Sequence, residues 1–434
     1  MATVGEQAAE GSTAPGAAGA GDPALAEAPG GGRARALQAL GVRDFRLFFA
    51  GQSVSLIGNA AFTIALGWRT FSLTGEASSL GIVLAAQSAA MLCTLLVGGV
   101  LADRYDRRKL MVASDIGRFL AVGALAGLDA SGHLSFGALI AFAVLAGLGE
   151  GFFIPAFGGM VPLVVDTPLL ASANALVGIA RQGSSLVGPG IAAALYAPVG
   201  SATVFALDAA SFLVASALLL MASPRRLPAA PRESARRELA DGFRYVASVP
   251  FVWITIAASS VLLMVQVAPF QVLLPTLVKD EWGRGAGSYG LLSSVMGAGM
   301  IAGALAFGTL VPRGRQRATI SYVMWTLNSV LVLGIGLTPW FEGALGLQLV
   351  RGLFVGFGIG LWETTLMELV PERLLARVIS LDFFGSIGLM PLGYVLAAGI
   401  AGLAAPGTIV AAGAAVGVVL FGGALLWPRA RQLE

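Results

Sequence analysis

Ionisable side chains inside long apolar stretches are the residues of this sequence whose types could carry chemistry. Only 12% of the 434 residues are charged, and a charge in a membrane interior usually has either a partner or a function. Glu150 lies near the middle of one apolar stretch and Arg181 at similar depth in the next, so we expect an ion pair between them. A carboxyl group in such surroundings can exchange a proton. Glu150 is therefore the first candidate for proton transfer, and Asp208 is the second.

Each of these groups also has a structural interpretation. The Glu150–Arg181 pair could serve only to stabilise the fold, or protonation of Glu150 could free Arg181 to meet an anionic group. Asp208 could hold its helix to a neighbour by a hydrogen bond, and Arg351 has the same two interpretations. The sequence leaves these alternatives open.

Uncharged polar side chains in the apolar stretches are candidates for lining a central cavity. Gln52 and Asn59 are about two helical turns apart and therefore share a helix face. Gln182, Asn328 and the cation Arg351 complete this set. Such groups equally join helices through hydrogen bonds of modest strength, so they define candidates rather than a site.

The elements that must position these residues are long apolar stretches bounded by charges. The chain is 56% hydrophobic with a mean hydropathy of +0.82, and a membrane helix needs about 20 apolar residues. We predict twelve spans, at residues 47–72, 79–102, 109–130, 136–160, 170–197, 201–222, 250–277, 286–311, 317–337, 342–365, 376–402 and 406–427. The sequence therefore predicts an all-α integral membrane protein, because a helix satisfies its own backbone hydrogen bonds in lipid.

Basic residues set the expected orientation of the spans. With the N-terminus inside, most of the 27 Lys and Arg residues fall in cytoplasmic loops, and only Lys279 and Arg284 fall outside. We therefore expect a multi-pass protein of the cytoplasmic membrane with both termini in the cytoplasm. The pI of 9.3 then reflects topology, and no nucleic-acid partner is expected. Residues 1–40 are expected to form a disordered cytoplasmic tail.

An internal repeat divides the chain. The displacement that lays Gly81 on Gly290 also lays residues 147–151 (GLGEG) on residues 356–360 (GFGIG). Repeated halves of this kind are typical of transporter folds. The predicted segments are a first half at 41–222, a cytoplasmic linker at 223–249, and a second half at 250–430. Part of the linker, 232–247, is expected to be helical along the membrane surface.

A charged motif, GVLADRYDRRKL, follows the second predicted span at residues 99–110. Together with twelve spans in two similar halves, it resembles the loop signature of the major facilitator superfamily, Gly-x-Leu-Ala-Asp-Arg-x-Gly-Arg-Arg/Lys. The matching positions are Gly99, Leu101, Ala102, Asp103, Arg104, Arg107 and Arg108. Asp106 replaces the second Gly. The resemblance implies the major facilitator fold, two pseudo-symmetric bundles of six helices, for nearly the whole chain after residue 40.

The resemblance also implies a cytoplasmic latch between the halves. In this family the acid at the position of Asp103 meets the N-terminal end of the eleventh helix, expected here near Ala376, whose partial positive charge suits a carboxylate. Gly99 would let the second helix pack closely against a neighbour. Arg107 would pair with Asp166 in the next cytoplasmic loop.

Further charges belong to the same expected gate. Asp115 and Arg118, one turn apart in the third predicted span, would extend the latch network. Arg104 and Arg108 would hold the loop in the cytoplasm, and simple orientation of the loop is the alternative interpretation of the whole motif. Glu363 and Asp382 are also expected at this gate, each paired with Arg373 or Arg377.

Several stretches resemble the drug and siderophore exporters of the superfamily, of the enterobactin-exporter and macrolide-efflux type. They include RDFRLFFAGQSVSLIG from residue 43 and ARVISLDFFGSIGLMPLGY from residue 376. This resemblance implies export of a hydrophobic or amphiphilic small molecule by alternating access, with proton antiport as the coupling. The alternatives within the same fold are nutrient uptake and lysophospholipid translocation.

Other classes of function do not fit the residues. Neither Lys109 nor Lys279 follows a Gly-rich phosphate loop, so the sequence contains no Walker-type nucleotide site. His133 and Cys93 are the only His and Cys residues, so we expect no enzyme, no metal site and no other cofactor. The expected partners are a small-molecule substrate, protons and the lipid bilayer, and the chain is expected to act as a monomer.

Overall fold

All regular elements in the described part of the chain are helical. The computed structural model describes residues 37–225, 235–310 and 316–427. Most of the predicted tail, 1–36, and part of the predicted linker, 226–234, therefore lie outside the described residues.

The segment before the first long helix is ordered. Gln38–Gly41 forms a short 3-10 helix, although the predicted tail extended to residue 40. Ala39 is fully buried, and its backbone N–H donates to Ser172 Oγ at 3.2 Å. This contact attaches the start of the described chain to the first turn of the fifth span, which begins at Leu170.

Twelve long helical segments follow in the described residues. Their bounds are α1 Arg43–Thr74, α2 Ala77–Arg104, α3 Arg107–Ala130, α4 Phe136–Gly158, α5 170–199, α6 201–221, α7 Pro250–Glu281, α8 Ala286–Leu310, α9 Gln316–Leu337, α10 Phe341–Leu369, α11 Glu372–Ile387 with Met390–Ile400, and α12 Pro406–Leu426. Eleven continuous helices of the described chain are long and apolar enough to cross a membrane, and one of them contains both α5 and α6. The prediction of an all-α, multi-pass membrane protein is confirmed.

α5 and α6 are two parts of one helix, Leu170–Met221, which is broken at Gly200. Gly200 has φ 78° and ψ 172°, a backbone conformation that glycine adopts without a steric penalty. A straight helix of 52 residues would be about 78 Å long, more than twice the thickness of the hydrocarbon core. The break therefore allows this stretch to supply the two spans that the sequence predicts.

The buried apolar residues form one shared core and two separate ones. The shared core contains side chains from both halves, such as Phe62 and Phe205 from the first half and Phe270 and Phe341 from the second. We call the end of the bundle that contains the turn between α2 and α3, residues 104–107, the basic end. We call the opposite end of the bundle the far end. At the basic end each half has its own core. The halves are therefore packed together at the far end and apart at the basic end.

Direct contacts between the halves agree with this arrangement. The rings of Trp68 on α1 and Tyr289 on α8 lie 6.0 Å apart, and Lys279 Nζ lies 5.1 Å from the ring centre of Phe71. On α8, a Cβ added at Gly297 would lie 2.4 Å from a backbone carbonyl oxygen of α5. Small residues thus bring these helices of opposite halves into backbone contact.

The linker helix, Ala235–Ser248, rests on the second half at the basic end. The Tyr245 hydroxyl donates to the Leu369 carbonyl oxygen at 2.6 Å, and Val246 is buried in the core of the second half. Asp241 faces Arg377 on α11 at 3.8 Å. The helix that the sequence predicts on the membrane surface therefore also packs against α10 and α11.

Candidate functional site

Three carboxyl groups and one guanidinium group meet inside the first half. Arg118 on α3 forms a buried ion pair with Asp115, one turn before it on the same helix. Asp208 on α6 is 1% exposed and interacts electrostatically with Arg118. Glu150 on α4 is half-buried and interacts with the same guanidinium group. We call Asp115, Arg118, Glu150 and Asp208 the acidic cluster.

The guanidinium group of the acidic cluster is held between two aromatic rings. Arg118 Cζ lies 4.3 Å from the ring centre of Phe153 on α4 and 4.3 Å from that of Phe212 on α6. A cation over an aromatic face is attracted by the ring quadrupole. Gly149 leaves room for the arginine stem, because a Cβ added there would lie 2.8 Å from Arg118 Cγ. The packing of α3, α4 and α6 therefore fixes the cation in place.

Neutral groups satisfy only some of the carboxylate oxygens. Glu150 faces the Gln87 side chain on α2, and Ser211 Oγ lies 3.4 Å from Asp208 Oδ1. Within the described residues, Oδ2 of both Asp115 and Asp208 is buried without a hydrogen-bond partner. Full ionisation would place three negative charges against one positive charge in a medium of low dielectric constant. The arrangement is chemically suited to holding protons.

The second half buries a cation instead. Arg351 on α10 is 5% exposed and donates to Asn328 Oδ1 at 3.1 Å and to Gln348 Oε1 at 3.2 Å. Its Cζ lies 4.8 Å from the ring centre of Phe270, and Nη1 lies 3.6 Å from Met296 Sδ. Among the described residues these named partners are all neutral. Arg351 and Asn328, two of the predicted cavity residues, therefore belong to one buried polar group.

The expected ion pair between Glu150 and Arg181 is not formed. Glu150 faces α2 and α3, whereas Arg181 on α5 is exposed and interacts electrostatically with Glu363 on α10 of the other half. Arg181 Cζ also lies 5.0 Å from the ring centre of Phe157. The two residues lie at similar depth on their helices but point in different directions, so the expectation is corrected.

The acids expected to pair with arginines of α11 have other partners. Asp382 accepts hydrogen bonds from Trp362 Nε1 at 3.0 Å and Ser386 Oγ at 3.3 Å. Arg377 instead faces Asp241 of the linker helix. The side chain of Arg373, the other expected partner, lies outside the described residues.

The latch expected at Asp103 is open in this structure. The Asp103 side chain is 73% exposed, and its ion-pair partner is Arg107 of the same half at 3.5 Å. The helix that it was expected to meet, α11, begins at Glu372 rather than near Ala376. Because the two halves are apart at the basic end, Asp103 has no ion-pair or hydrogen-bond partner from the second half within the described part of the chain.

The expected pair between Arg107 and Asp166 is also not formed. Arg107 Nη1 donates to the Gly159 carbonyl oxygen at 2.7 Å, at the end of α4. Asp166 pairs with Arg225, which follows α6. This hydrogen bond from Arg225 holds the pKa of the exposed Asp166 carboxyl below its usual value. The basic loop is thus tied to the loops of its own half.

Other motif residues stabilise local structure. Asp106 caps α3 by accepting hydrogen bonds from the backbone N–H groups of Arg108 and Lys109, and its φ of −62° requires no glycine. Arg108 Nη1 donates to the Ala222 carbonyl oxygen at 2.6 Å, while Arg104 is exposed.

The close contact expected at Gly99 occurs at Gly98. A Cβ added at Gly98 would lie 2.5 Å from the Gly151 carbonyl oxygen on α4, whereas one added at Gly99 would meet nothing within 4 Å. The expectation for Gly99 is therefore corrected by one position, because the neighbouring residue is the one that faces α4.

The cavity candidates differ in exposure. Gln52 is 4% exposed and Asn328 is 2% exposed, so neither side chain lines an open space. Asn59 and Gln182 are half-buried. Sequence reasoning missed Gln348, although its position one turn before Arg351 on the same helix face would have indicated it.

Comparison with known proteins places these features in a family. Residues 48–388 match the Major Facilitator Superfamily. The enterobactin exporter of Shigella boydii serotype 18 is 29% identical over 340 residues, which cover 77% of this chain and 79% of that protein. The enterobactin exporter of Escherichia coli O81 has the same identity and coverage.

Solved structures show the same fold at low sequence identity. A bacterial homologue of the human lysosomal transporter Spinster, in an inward-facing conformation, has a TM-score of 0.62 and 14% identity, and the match covers 90% of this chain and 94% of that one. A bacterial homologue of the iron transporter ferroportin, in an inward-facing state, has a TM-score of 0.66 and 18% identity, with coverage of 88% and 98%.

Proposed function

Because the chain belongs to the Major Facilitator Superfamily, we propose that it is a secondary transporter that exports a hydrophobic or amphiphilic small molecule in exchange for protons. The similarity to two enterobactin exporters supports export of a drug-, antibiotic- or siderophore-like compound. The acidic cluster is the observation that carries the proton coupling, since three carboxyl groups share one buried cation. The proposal involves no cofactor, and a single chain is the transporting unit.

The proposed orientation places the basic end in the cytoplasm. Arg104, Arg107 and Arg108 lie at this end, and loops rich in Lys and Arg remain on the cytoplasmic side of membranes. Both termini are then cytoplasmic and the membrane is the cytoplasmic membrane. In this orientation the described conformation is open to the cytoplasm, because the halves are packed together at the far end.

The proposed cycle is alternating access. In the conformation open to the cytoplasm, substrate enters between the halves, where Arg181 and Glu363 face each other from α5 and α10. The halves then rock, and Asp103 meets the start of α11 when the basic end closes. A proton from outside binds the acidic cluster, with Glu150 as the first carrier and Asp208 as the second, and resets the protein.

Cellular accumulation tests this proposal most simply. An efflux-deficient bacterium expressing the protein is loaded with enterobactin, macrolides, tetracyclines and cationic dyes. Wild type, Glu150→Gln, Asp208→Asn and the surface control Glu342→Gln are compared at equal expression, with and without a protonophore. Glu342 is a suitable control because its carboxyl group is 68% exposed and pairs with Arg284 at the far end.

We expect wild type and Glu342→Gln to lower the accumulation of at least one compound, and expect the protonophore and Glu150→Gln to abolish this effect. Loss of export in Asp208→Asn but not in Glu150→Gln would identify Asp208, on α6, as the coupling acid. Unchanged or higher accumulation with wild type would contradict export and favour nutrient uptake or lysophospholipid translocation.

A further inference from the structure

We propose that the linker helix, Ala235–Ser248, binds the headgroup of an anionic phospholipid at Arg244, while the Phe243 ring enters the adjoining apolar layer of the bilayer. The bound lipid would tie the start of α11 to the membrane surface at the basic end. This site requires neither a transported compound nor protons, so the inference is independent of the proposed function.

The linker helix has one face against the protein and one exposed face. On the packed face, a Cβ added at Gly242 would lie 3.1 Å from Arg377 Cβ on α11. On the other face Phe243 is 67% exposed, and Arg244 and Ala247 are exposed as well. Because these three residues lie within little more than one turn, they share a side of the helix. The exposed face therefore presents a large apolar ring beside a cation.

The position of the linker helix places this face at the surface of the bilayer. The apolar span α7 begins at Pro250, two residues after the helix ends. Trp253 on α7 and Trp427, directly after α12, are both exposed, and their rings lie 6.5 Å apart. Trp is enriched where lipid headgroups meet the hydrocarbon core. Trp253 is only about 4.5 Å of helix rise beyond Pro250, so the linker helix ends close to the headgroup level.

The Phe243 ring favours contact with lipid over contact with water. Hydration of an exposed aromatic ring is unfavourable, and the adjoining acyl chains offer an apolar environment. Helices that lie in a membrane interface place such rings at the boundary between headgroups and acyl chains and carry basic residues on their polar side. Phe243 and Arg244 are neighbours in this arrangement.

The charges of the linker favour an anionic headgroup. Residues 223–249 contain six Arg against three acidic residues, a net charge of +3. Arg244 Nη1 donates to Asp241 Oδ1 at 2.9 Å, and Arg377 Nη1 lies 3.8 Å from Asp241 Oδ2, so two cations share one carboxylate. Of the five N–H donors of Arg244, this is the one with a hydrogen-bond partner in the part of the chain that the structure describes. The remaining donors are available to a phosphate group.

The same contacts connect the lipid site to the helices of the second half. A headgroup bound to Arg244 competes with Asp241 for this guanidinium group and leaves the carboxylate to Arg377 on α11. On the packed face, the Tyr245 hydroxyl donates to the Leu369 carbonyl oxygen at the end of α10. Lipid binding should therefore hold the linker helix and the ends of α10 and α11 together at the membrane surface.

The test measures which lipid lies beside the exposed face in the purified full chain. Cys93 is replaced by Ser, and a bimane fluorophore is attached after Ala247→Cys, an exposed position one turn from Phe243. The protein is reconstituted in vesicles that mix phosphatidylcholine and phosphatidylglycerol in a fixed proportion. Brominated acyl chains, which quench the fluorophore on contact, are carried by one lipid or by the other. The ratio of the two quenching constants gives the local preference for phosphatidylglycerol.

We expect a clear preference for phosphatidylglycerol when Arg244 is present. Arg244→Gln should lower the preference roughly 5-fold, the value of one basic side chain near an anionic surface, and Arg244→Lys should keep it. Phe243→Ser should weaken quenching by both lipids equally, because the ring sets the depth of the helix rather than its charge. The matched control Arg43→Gln removes an exposed charge from the first half at the basic end and should leave the preference unchanged.

Three results would overturn the proposal. Equal quenching by the two lipids in the presence of Arg244 would exclude a headgroup site on the linker helix. Equal loss of the preference in Arg244→Gln and Arg43→Gln would show that the overall charge of the basic end attracts the lipid. Quenching by neither lipid would place the exposed face in water and favour a protein partner. Transport does not enter these measurements, so their failure would leave the proposed export in place.

Discussion

The two halves share one architecture but bury different charges. The first half gathers the acidic cluster around Arg118, and the second half surrounds Arg351 with neutral oxygen and sulfur atoms. The repeat places Ile359 at the position that corresponds to Glu150, so the fold itself does not require an acid there. Under the proposed function, proton exchange therefore belongs to the first half, whereas the second half supplies a fixed cation.

At one repeat-related position the halves also differ in what the helices place against each other. A Cβ added at Gly151 on α4 would lie 2.5 Å from the backbone oxygen of Met91 on α2. A Cβ added at the repeat-related Gly360 on α10 would lie 2.8 Å from a ring carbon of Phe307 on α8. At Gly151 the neighbour is backbone that cannot adjust, whereas at Gly360 it is a side chain that can rotate.

The largest expected effect separates the two buried arginines. Arg118→Met leaves the carboxylates of the acidic cluster without their cation, and breaking a buried ion pair costs roughly 3–5 kcal/mol. Arg351→Met removes a buried charge that has neutral partners but leaves the Asn328 and Gln348 oxygens without a donor, so we expect a smaller loss of about 1–3 kcal/mol. The free energy of unfolding in mixed detergent micelles measures both. Equal losses would contradict the electrostatic difference between the halves.

A smaller difference is expected at the repeat-related glycines. Gly151→Ala forces α2 and α4 apart, and overpacking of this kind costs about 1–3 kcal/mol. Gly360→Ala requires only a rotation of the Phe307 ring, so its cost should be clearly lower. Unfolding of the two variants under identical conditions makes the comparison, and a larger loss in Gly360→Ala would contradict it.

The charges that face each other across the halves should affect transport more than stability. Arg181→Glu or Glu363→Arg alone places like charges opposite one another and should lower export several-fold, while the double reversal should restore part of it. The matched control is the pair Arg284–Glu342, 2.7 Å apart at the far end within the second half, whose reversal should leave export unchanged. No recovery in the Arg181–Glu363 double variant would exclude a direct interaction.

The smallest effect is expected at Asp166. Its folded-state pKa is lowered by Arg225, so its contribution to stability is present above the pKa of the unfolded chain and is lost as the pH falls through the folded-state pKa. Because both groups are well exposed, Asp166→Asn should lower the melting temperature only slightly at neutral pH. The melting curves of wild type and variant should converge in acid. Adding Arg225→Gln to Asp166→Asn should then cause no further loss.

The helical spans could be predicted because each is an uninterrupted apolar stretch of membrane length. The pair of Asp115 with Arg118 was accessible for a similar reason, since both lie on one helix and their spacing fixes their relative direction. The actual partners of Glu150 and Arg181 could not be predicted in this way. Sequence gives the depth of a residue along its helix, but its direction around the helix axis depends on how neighbouring helices pack.

The contacts of the basic loop could not be predicted for another reason. The Arg107 side chain is long enough to reach several acceptors, and it donates to the Gly159 carbonyl oxygen rather than pairing with Asp166. The sequence alone does not show which of these acceptors lies nearer. Tyr394 and Gln271 meet from helices far apart in the chain, and no spacing rule connects them. The residues that join separate helices are therefore the ones that only the structure identifies.

The central claim, that protons are exchanged in the first half, is tested most directly by counting protons. Purified protein in weakly buffered solution is mixed with the exported compound that shows the largest accumulation difference, and a pH indicator records the protons released per molecule bound. We predict release by wild type and by Arg351→Met, and none by Glu150→Gln. Undiminished proton release by the double variant Glu150→Gln/Asp208→Asn would contradict the claim. Loss of proton release in Arg351→Met would also contradict it, provided that this variant still binds the compound.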